Sequence, residues 1–248
     1  MSLFSIQLKI IPNLFLKDPQ QTKLGRKIIR YGIILLDEIG LDQLTFKKLA
    51  KLIPSSEASI YRYFENKHNL FVYLLNWHWE LMSVRIKMSV INITDPIQKL
   101  QSALSVIVGK NQSQFKAEHI DENMLFNIVV REGAKAYHHK GVDADNNEGY
   151  FLSYKELCEV VSTLIMNVKH DFSYPNALAS TLIETANSNL YFAKHLPRLT
   201  DITQDEDLLN LKNKVLQMLQ FFCFSILQSE LNPDNAEGYL ESNRQTNN

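Results

Sequence analysis

The residues best suited to do chemistry lie between Thr45 and Lys67, where two short helix-forming runs follow one another across a very short turn. The first run, Thr45–Ile53, reads TFKKLAKLI, and the second, Ser55–Phe64, reads SSEASIYRYF. A short second helix that opens with hydroxyl groups and carries two tyrosines is typical of a helix that reads DNA. We therefore interpret the segment as a helix-turn-helix.

The first turn of the second run, Ser56–Ser59, carries groups that can meet a DNA duplex. A recognition helix enters the major groove with its N-terminal turn nearest the bases, and its free N–H groups attract phosphate. Glu57 can accept a hydrogen bond from a cytosine amine, and Ala58 leaves room for a thymine methyl group. Ser56 and Ser59 add hydroxyl groups that can bond phosphate.

Farther along this helix, Ile60 and Phe64 are four residues apart and are expected to face inward. Tyr61 and Tyr63 are expected to lie toward the groove walls, with their hydroxyl groups on phosphates. Lys67 falls in the first turn of the next helix, where a cation opposes the helix dipole unless an anion lies opposite. The alternatives are an ordinary capped amphipathic helix with two half-buried tyrosines and a solvated surface lysine.

The spacing of these residues resembles that of the TetR family of transcriptional regulators. The shared features are a threonine that opens helix 2, a Leu-Ala pair, a serine before helix 3, a Tyr-x-x-Phe spacing and a lysine that opens helix 4. In this sequence they are Thr45, Leu49-Ala50, Ser56, Tyr61 with Phe64, and Lys67. The resemblance implies base contacts by Glu57 and Ala58, and phosphate contacts by Thr45, Ser56, Ser59, Tyr61, Tyr63 and Lys67.

Two positions depart from the family pattern. The turn between the helices usually reads Gly-Val, whereas this chain has Pro54-Ser55. Proline cannot take the positive φ that glycine supplies, so the turn must be built differently. The helix-3 position that is usually glycine is Ala58, which is a mild change.

Capping and breaking residues predict the helices that hold this segment. Helix 1 starts after the N-cap Thr22 and stops at Gly40, and Pro54 ends helix 2 because the residue before a proline avoids the α region. Thr45, Ser56 and Asn66 are the predicted N-caps of helices 2, 3 and 4, and helix 4 continues through Trp77 and Trp79 to about Met88. The predicted divisions are an arm at 1–21 with a possible short strand at 5–10, a DNA-binding domain at 22–66, a helical body at 67–232 and a polar tail at 233–248.

The rest of the body is predicted to be helical, with loops at 92–95, 111–121, 138–147, 172–176 and 196–204. Its last helix, about Asp205–Leu231, places apolar groups almost all round the axis near Phe221–Phe224. Such a helix must be buried on more than one side, and a second subunit is the simplest cover. We expect a homodimer through this helix and the one before it, about Ala177–Lys194.

Composition limits the other classes of function. Residues 1–79 hold 11 Lys+Arg and 6 Asp+Glu, or +5, which leaves 15 and 21, or −6, for residues 80–248. A basic N-terminal part on an acidic body suits a phosphate-facing module. No apolar run reaches the ~18–20 residues of a membrane span, so we expect a cytoplasmic protein without membrane contact.

No catalytic or cofactor motif was found: the sequence has no Gly-rich phosphate loop, GxSxG or HExxH. Cys158 and Cys223 are expected to be free, buried thiols. The adjacent histidines His138-His139 would point about 100° apart on a helix, so no metal site is expected there. We expect no enzyme activity and no cofactor.

The resemblance implies an all-α chain in which a three-helix DNA-binding domain joins a larger helical body that dimerises and binds a small effector. The expected function is that of a dimeric repressor on a palindromic operator in double-stranded DNA, released by a small molecule of unknown identity. The effector cavity is expected between helix 4 and Asn123–Phe172, with helix 4 alone touching both functions. Alternatives are an effector-independent regulator whose body only dimerises, an activator, and a helical enzyme.

Overall fold

The computed structural model describes residue 8 and residues 10–110, 119–202 and 207–229. Within these ranges the chain has ten α-helices and no strand, which confirms the all-α fold. The helices are α1 Lys23–Gln43, α2 Phe46–Leu52, α3 Glu57–Tyr61, α4 Lys67–Ser89, α5 Pro96–Ile107, α6 Glu122–Glu132, α7 Val142–Asn147, α8 Leu152–Val168, α9 Pro175–His195 and α10 Leu208–Gln228. No helix among these residues has the length and apolar character needed to cross a membrane.

The four predicted N-caps of the N-terminal helices are confirmed. In each case the side-chain oxygen accepts a hydrogen bond from a backbone N–H three residues later, which satisfies one of the free donors at a helix start. The caps are Thr22 on α1, Thr45 on α2, Ser56 on α3 and Asn66 on α4. These bonds are local, so the sequence alone was enough to predict them.

Two predicted boundaries need correction. The loop predicted at 138–147 contains the short helix α7, Val142–Asn147, which has no buried residue and therefore no apolar periodicity to reveal it. Helix α1 does not stop at Gly40 but changes direction there and continues to Gln43. Of the possible strand at 5–10, only Leu8 and Ile10 are described, and neither is in a strand. The predicted tail at 233–248 lies outside the described residues.

Helix α4 is the centre of the molecule and is covered on every side. Trp77, Trp79 and Met82 are all less than a tenth exposed. Trp79 stacks on Tyr154 of α8, with ring centroids 4.8 Å apart. A helix that is apolar all round must be enclosed by others, and α5, α6 and α8 pack against this one.

The end of α1 forms a break in the helix that we call the Gly40 break, residues Gly40–Asp42. Gly40 has a φ of +73°, and a Cβ there would come within 2.7 Å of Glu132 Oε1. Glu132 Oε2 accepts a hydrogen bond from the Leu41 N–H at 2.8 Å, and this carboxylate is buried. From the other side, the Lys67 ammonium donates to the carbonyl oxygens of Leu41 and Asp42 at 2.9 and 3.0 Å.

Two more cations fasten the end of α6 to the end of α1. The Arg131 guanidinium donates to the Leu36 carbonyl at 2.8 Å, and Lys135 pairs with the Asp42 carboxylate at 2.7 Å. The body therefore touches the N-terminal domain through α6 as well as through α4. The expectation that helix 4 alone joins the two parts is wrong, because the partners of Glu132 and Arg131 lie on α1, about 90 residues earlier in the chain.

A cavity of about 270 Å³ lies next to this junction. It is open to solvent on one side and lined by α1, α6, the C-terminal part of α9 and the first residue of α10. Four of its lining residues, on α6, belong to the segment predicted to line an effector cavity, but the facing wall is formed by α9 and α10 rather than by α4. The lining residues are Asp37, Phe126, Asn127, Val130, Arg131, Leu190, Tyr191, Lys194, His195 and Leu208.

The junction gives a first prediction. Replacing Glu132 by Ala should lower the free energy of unfolding by about 3–5 kcal/mol, because the buried Leu41 N–H loses its acceptor and the neighbouring cations lose their partner. Chemical denaturation followed by circular dichroism measures this. Asp42→Ala is the matched control: it removes an exposed partner of Lys135 and should leave stability nearly unchanged. Equal losses in the two variants would contradict the central role given to Glu132.

Candidate nucleic-acid interface

The turn between α2 and α3 is built without glycine, as its sequence required. Ile53 is extended, with a ψ of 142°, and the Ser55 N–H donates to the Ile53 carbonyl at 2.6 Å across Pro54. Among the described residues only glycines have positive φ. A tight three-residue turn of this kind suits the fixed φ of proline and replaces the usual glycine turn.

Helix α3 presents its first turn to solvent. Ser56 and Ala58 are exposed, and Glu57 and Ser59 are half-buried. The Ser56 and Ser59 hydroxyl oxygens are 3.0 Å apart, and Ser56 Oγ accepts from the Ser59 N–H at 3.3 Å. The four residues expected to meet DNA are therefore together on one accessible turn.

Ile60 of α3 and Phe64, three residues after its end, face the core, as predicted. Ile60 and Phe64 are completely buried, and Phe64 meets Tyr73 of α4 edge-on at 5.4 Å. A helix of only five residues has little stability of its own, so these contacts must hold it in place. The recognition helix is thus held against α4 by packing contacts.

Tyr61 faces outward, so its contact with phosphate stays a prediction. It is 47% exposed, and its ring packs edge-on against Phe46 at 4.9 Å. That contact fixes the direction of the ring while it leaves the side chain accessible. Thr45, at the start of α2, is exposed as well, and its hydroxyl oxygen accepts from the Lys48 N–H at 3.1 Å.

The structure places Tyr63 differently from the expectation that it faces a groove wall. It is only 4% exposed, and its hydroxyl lies 2.8 Å from Thr22 Oγ1, the cap of α1. Its carbonyl accepts from the Leu16 N–H at 2.9 Å, and the Lys17 ammonium lies 5.5 Å from its ring centroid. Tyr63 lies beyond the last residue of α3 and points toward α1, where it ties the N-terminal arm to the recognition segment.

Lys67 also has a structural role that its sequence position did not reveal. Its ammonium holds the Gly40 break through two carbonyl oxygens, so a lysine at the start of α4 is explained without DNA. An ammonium has three donors, and two of them serve these bonds. A phosphate contact by the third stays a prediction.

Exposed cations occur on the elements next to α3 in the chain and on the arm. They come from the arm, from α2 and from the residue after α3, and sequence reasoning did not place the arm lysine near the recognition helix. They are Lys17, Lys47, Lys51 and Arg62. Together with the exposed turn of α3, they form a surface suited to a polyanion.

Residues 28–74 match the family described as bacterial regulatory proteins, tetR family. The chain carries a TetR-family DNA-binding domain. The matched segment runs from the first half of α1 into α4 and includes the whole turn and α3. No curated protein matches the chain in sequence.

Solved structures show the same fold over most of the chain. A bacterial regulatory protein of the tetR family from Rhodococcus RHA1 is 13% identical, with a TM-score of 0.57 over 82% of this chain and 97% of that one. The fatty acid degradation regulator FadR from Bacillus halodurans is 19% identical, with a TM-score of 0.53 over 78% and 93%. AibR, solved with isovaleryl coenzyme A and operator DNA, is 13% identical, with a TM-score of 0.52 over 78% and 97%. These similarities of fold include the helical body as well as the DNA-binding domain.

The two tyrosines give a second prediction, because one is exposed and the other is buried. Tyr63→Phe should lower the free energy of unfolding by about 1 kcal/mol, since it removes an internal hydrogen bond, and should change DNA affinity less than about twofold. Tyr61→Phe should leave stability unchanged and weaken DNA binding by about threefold to tenfold through a lost phosphate contact. Chemical denaturation measures the change in stability. Fluorescence anisotropy with one duplex, at two salt concentrations, measures the change in DNA affinity. The reverse pattern would show that Tyr63, and not Tyr61, reaches the DNA.

Proposed function

We propose that this protein is a sequence-specific transcriptional regulator that binds a palindromic operator as a dimer, represses transcription and is released by a small-molecule effector. The observation that carries the proposal is the accessible first turn of α3, residues 56–59, on a TetR-family domain that has exposed cations on the neighbouring elements. A regulator of this kind acts where the DNA is, which in a bacterium is the cytoplasm.

The proposed contacts divide into those that position the protein and those that read sequence. Glu57 and Ala58 face the bases, where a carboxylate accepts from cytosine and a methyl group packs against thymine. Tyr63 is no longer proposed as a phosphate contact, because its side chain is buried and supports the domain from inside. The proposed phosphate contacts are Thr45, Ser56, Ser59, Tyr61 and Lys67.

The proposed dimer rests on the two faces of α10. One face is buried in the body, with Leu211, Val215 and Leu219 completely covered. Large apolar side chains near the two ends of α10 lie in solvent, and the most exposed of them, Phe221 at 68%, is on the face opposite the core. They are Leu208, Leu209, Phe221, Phe222 and Ile226.

A second copy of the chain is the proposed cover of this face. The neighbouring helix α9 presents an open groove of small and polar side chains, which lets another helix approach closely. An isologous two-fold contact between α9 and α10 and their counterparts would place two α3 helices on one side of the assembly. The residues of the groove are Ser180, Thr181, Glu184, Thr185, Ser188, Asn189 and Phe192.

A third prediction tests the dimer and the DNA reading together. Phe221→Glu places a charge in the apolar face, so light scattering at micromolar concentration should show a monomer in place of the wild-type dimer. Ile97→Glu on α5, a side chain that is 45% exposed, is the control and should stay dimeric. DNA selected from a random library by the wild type should be palindromic, and the Phe221→Glu variant should bind it at least about tenfold more weakly. A wild-type monomer, or selection of no sequence, would refute the proposal.

The proposed effector site is the cavity beside the Gly40 break. Phe126, Leu190 and Tyr191 supply apolar and aromatic surface, while Arg131 and Lys194 supply positive charge. Its volume of about 270 Å³ is near the lower end of the range for ligand pockets, so the ligand is small. This lining favours a compact molecule with an apolar body and one acidic group.

Arg131 connects this site to the DNA-binding domain. It lines the cavity and also donates to the Leu36 carbonyl, with its guanidinium 3.5 Å from the Asp37 carboxylate. An acidic ligand would compete for that guanidinium and favour an arrangement in which the end of α1 is released. A ligand shifts the equilibrium only by its difference in affinity for the two arrangements. AibR, of the same fold, was solved with both an acyl coenzyme A and operator DNA, which supports a body that binds ligands.

A fourth prediction follows from the cavity. In a thermal-shift screen, small aliphatic and aromatic carboxylic acids should raise the melting temperature, and their uncharged amides should not. Lys194→Gln should weaken binding of an active acid by about tenfold, because it removes one charge-assisted contact. Lys155→Gln, an exposed lysine on α8, is the control. If no acid stabilises the protein or releases its DNA, the effector-independent regulator whose body only dimerises becomes the better account.

A further inference from the structure

Three side chains able to bind a metal meet where the start of α4 touches the segment around α7. His68 Nε2 lies 2.6 Å from Asp145 Oδ2, and His139 Nε2 lies 3.2 Å from the same oxygen. The two imidazole centroids are 4.8 Å apart, and the three potential ligand atoms all lie within 4.8 Å of one another. His68 and Asp145 are 77 residues apart in sequence, so the fold alone brings this group together.

The hydrogen bonds around His139 leave one of its ring nitrogens without a clear role. The Gly141 N–H donates to His139 Nδ1 at 3.1 Å, so the neutral ring carries its proton on Nε2. That Nε2 is buried from solvent and makes no hydrogen bond among the described residues. Two imidazole nitrogens thus converge on a single carboxylate oxygen, and only one of them is bonded to it.

We propose that His68, His139 and Asp145 bind one Zn²⁺ ion, with water as the fourth ligand. Two imidazoles and a carboxylate form a ligand set that a borderline-soft divalent ion prefers, whereas Mg²⁺ and Ca²⁺ prefer oxygen ligands. The three side chains are 29%, 30% and 18% exposed, which gives a water ligand access to the site.

Binding an ion requires a local adjustment at each of the three ligands. With bonds of about 2.0–2.1 Å, tetrahedral ligand atoms lie about 3.3 Å apart. The His139–Asp145 separation of 3.2 Å already fits, and the His68–Asp145 hydrogen bond of 2.6 Å must lengthen as the ion replaces the shared proton. Coordination through Nε2 moves the remaining His139 proton to Nδ1, so the bond from Gly141 must be given up. Gly141 is exposed and precedes α7, where the chain has room to adjust.

The ion would join the two functional parts of the chain. His68 is the second residue of α4 and follows Lys67, which holds the Gly40 break. Asp145 belongs to α7 in the body. A bound ion would fix the first turn of α4 against α7, close to the recognition segment, so metal occupancy should change DNA affinity. This last step rests on the proposed function, whereas the metal site does not.

Metal binding to the full chain, freed of metal with a chelator, tests the site. Competition with a chromophoric chelator should show one Zn²⁺ per chain, and Co²⁺ should give the visible absorption of a four-coordinate ion. Asp145→Asn and His139→Ala should each weaken binding at least about tenfold. His138→Ala is the matched control, because this exposed neighbouring histidine lies outside the group, and it should bind like the wild type. Circular dichroism confirms that each variant is folded, and His139→Ala decides the question if Asp145→Asn does not fold.

Absence of stoichiometric binding, or binding that both substitutions leave unchanged, would overturn the proposal. The link to DNA has a separate measurement, the affinity for a selected duplex with and without Zn²⁺. A threefold or greater change in DNA affinity on adding Zn²⁺, lost in His139→Ala, would support the link. An unchanged DNA affinity in a protein that binds both Zn²⁺ and DNA would overturn it. A chain that binds Zn²⁺ but selects no DNA would refute the proposed function and leave the metal site intact.

Discussion

The buried carboxylate of Glu132 is the contact on which the arrangement of the two domains depends. A charge that is 6% exposed is costly unless hydrogen bonds and opposite charges surround it, and Glu132 has both. Its oxygens meet the Leu41 N–H, the Arg131 guanidinium and the Lys135 ammonium. The N–H is free to bond it because Gly40 breaks α1 there. The break and the carboxylate therefore require each other, and together they set how the body lies on the N-terminal domain.

The position of the recognition helix follows from that contact. Helix α3 is too short to hold itself and depends on Ile60 and Phe64 in the core and on the bond from Tyr63 to the cap of α1. Its direction is therefore set by α1 and α4 together, through contacts that leave it little freedom of its own. A change at the Gly40 break alters how those two helices meet. Rearrangements of an ångström or two at packed interfaces are enough to move paired DNA-binding elements out of register.

What the sequence could predict was decided by the range of each interaction. The caps Thr22, Thr45 and Ser56 bond N–H groups three residues away, so the pattern alone was sufficient. The internal partners of Tyr63 and Lys67, Thr22 and the carbonyl oxygens of the Gly40 break, could not be predicted because they lie 25 to 41 residues away in the chain. Proximity at that range depends on the packing of whole helices, which periodicity does not specify.

The same limit explains the errors in the body. Predicting α10 was straightforward because its apolar residues recur with helical spacing, whereas α7 is a six-residue polar helix without a buried residue. The grouping of His68, His139 and Asp145 was missed because the sequence offered only the adjacent pair His138-His139. On a helix the two side chains of that pair would point in different directions, and in the structure only His139 belongs to the group. Site residues that lie on one helix could be predicted from the sequence. Sites formed by helices far apart in the chain could not be predicted.

Helix α10 links the two properties proposed for the body. Its first residue, Leu208, lines the cavity beside Arg131, and Phe221 and Ile226 near its other end are exposed apolar side chains in the proposed dimer contact. A ligand in that cavity would thus contact the helix of the proposed dimer contact as well as Arg131, which bonds the end of α1. A dimeric reader of DNA depends on both quantities, the orientation of each recognition helix and the spacing of the pair. One small ligand placed there would alter the orientation of each recognition helix and the spacing of the pair together. Release from an operator requires only that the ligand bind the altered arrangement more tightly than the DNA-binding one.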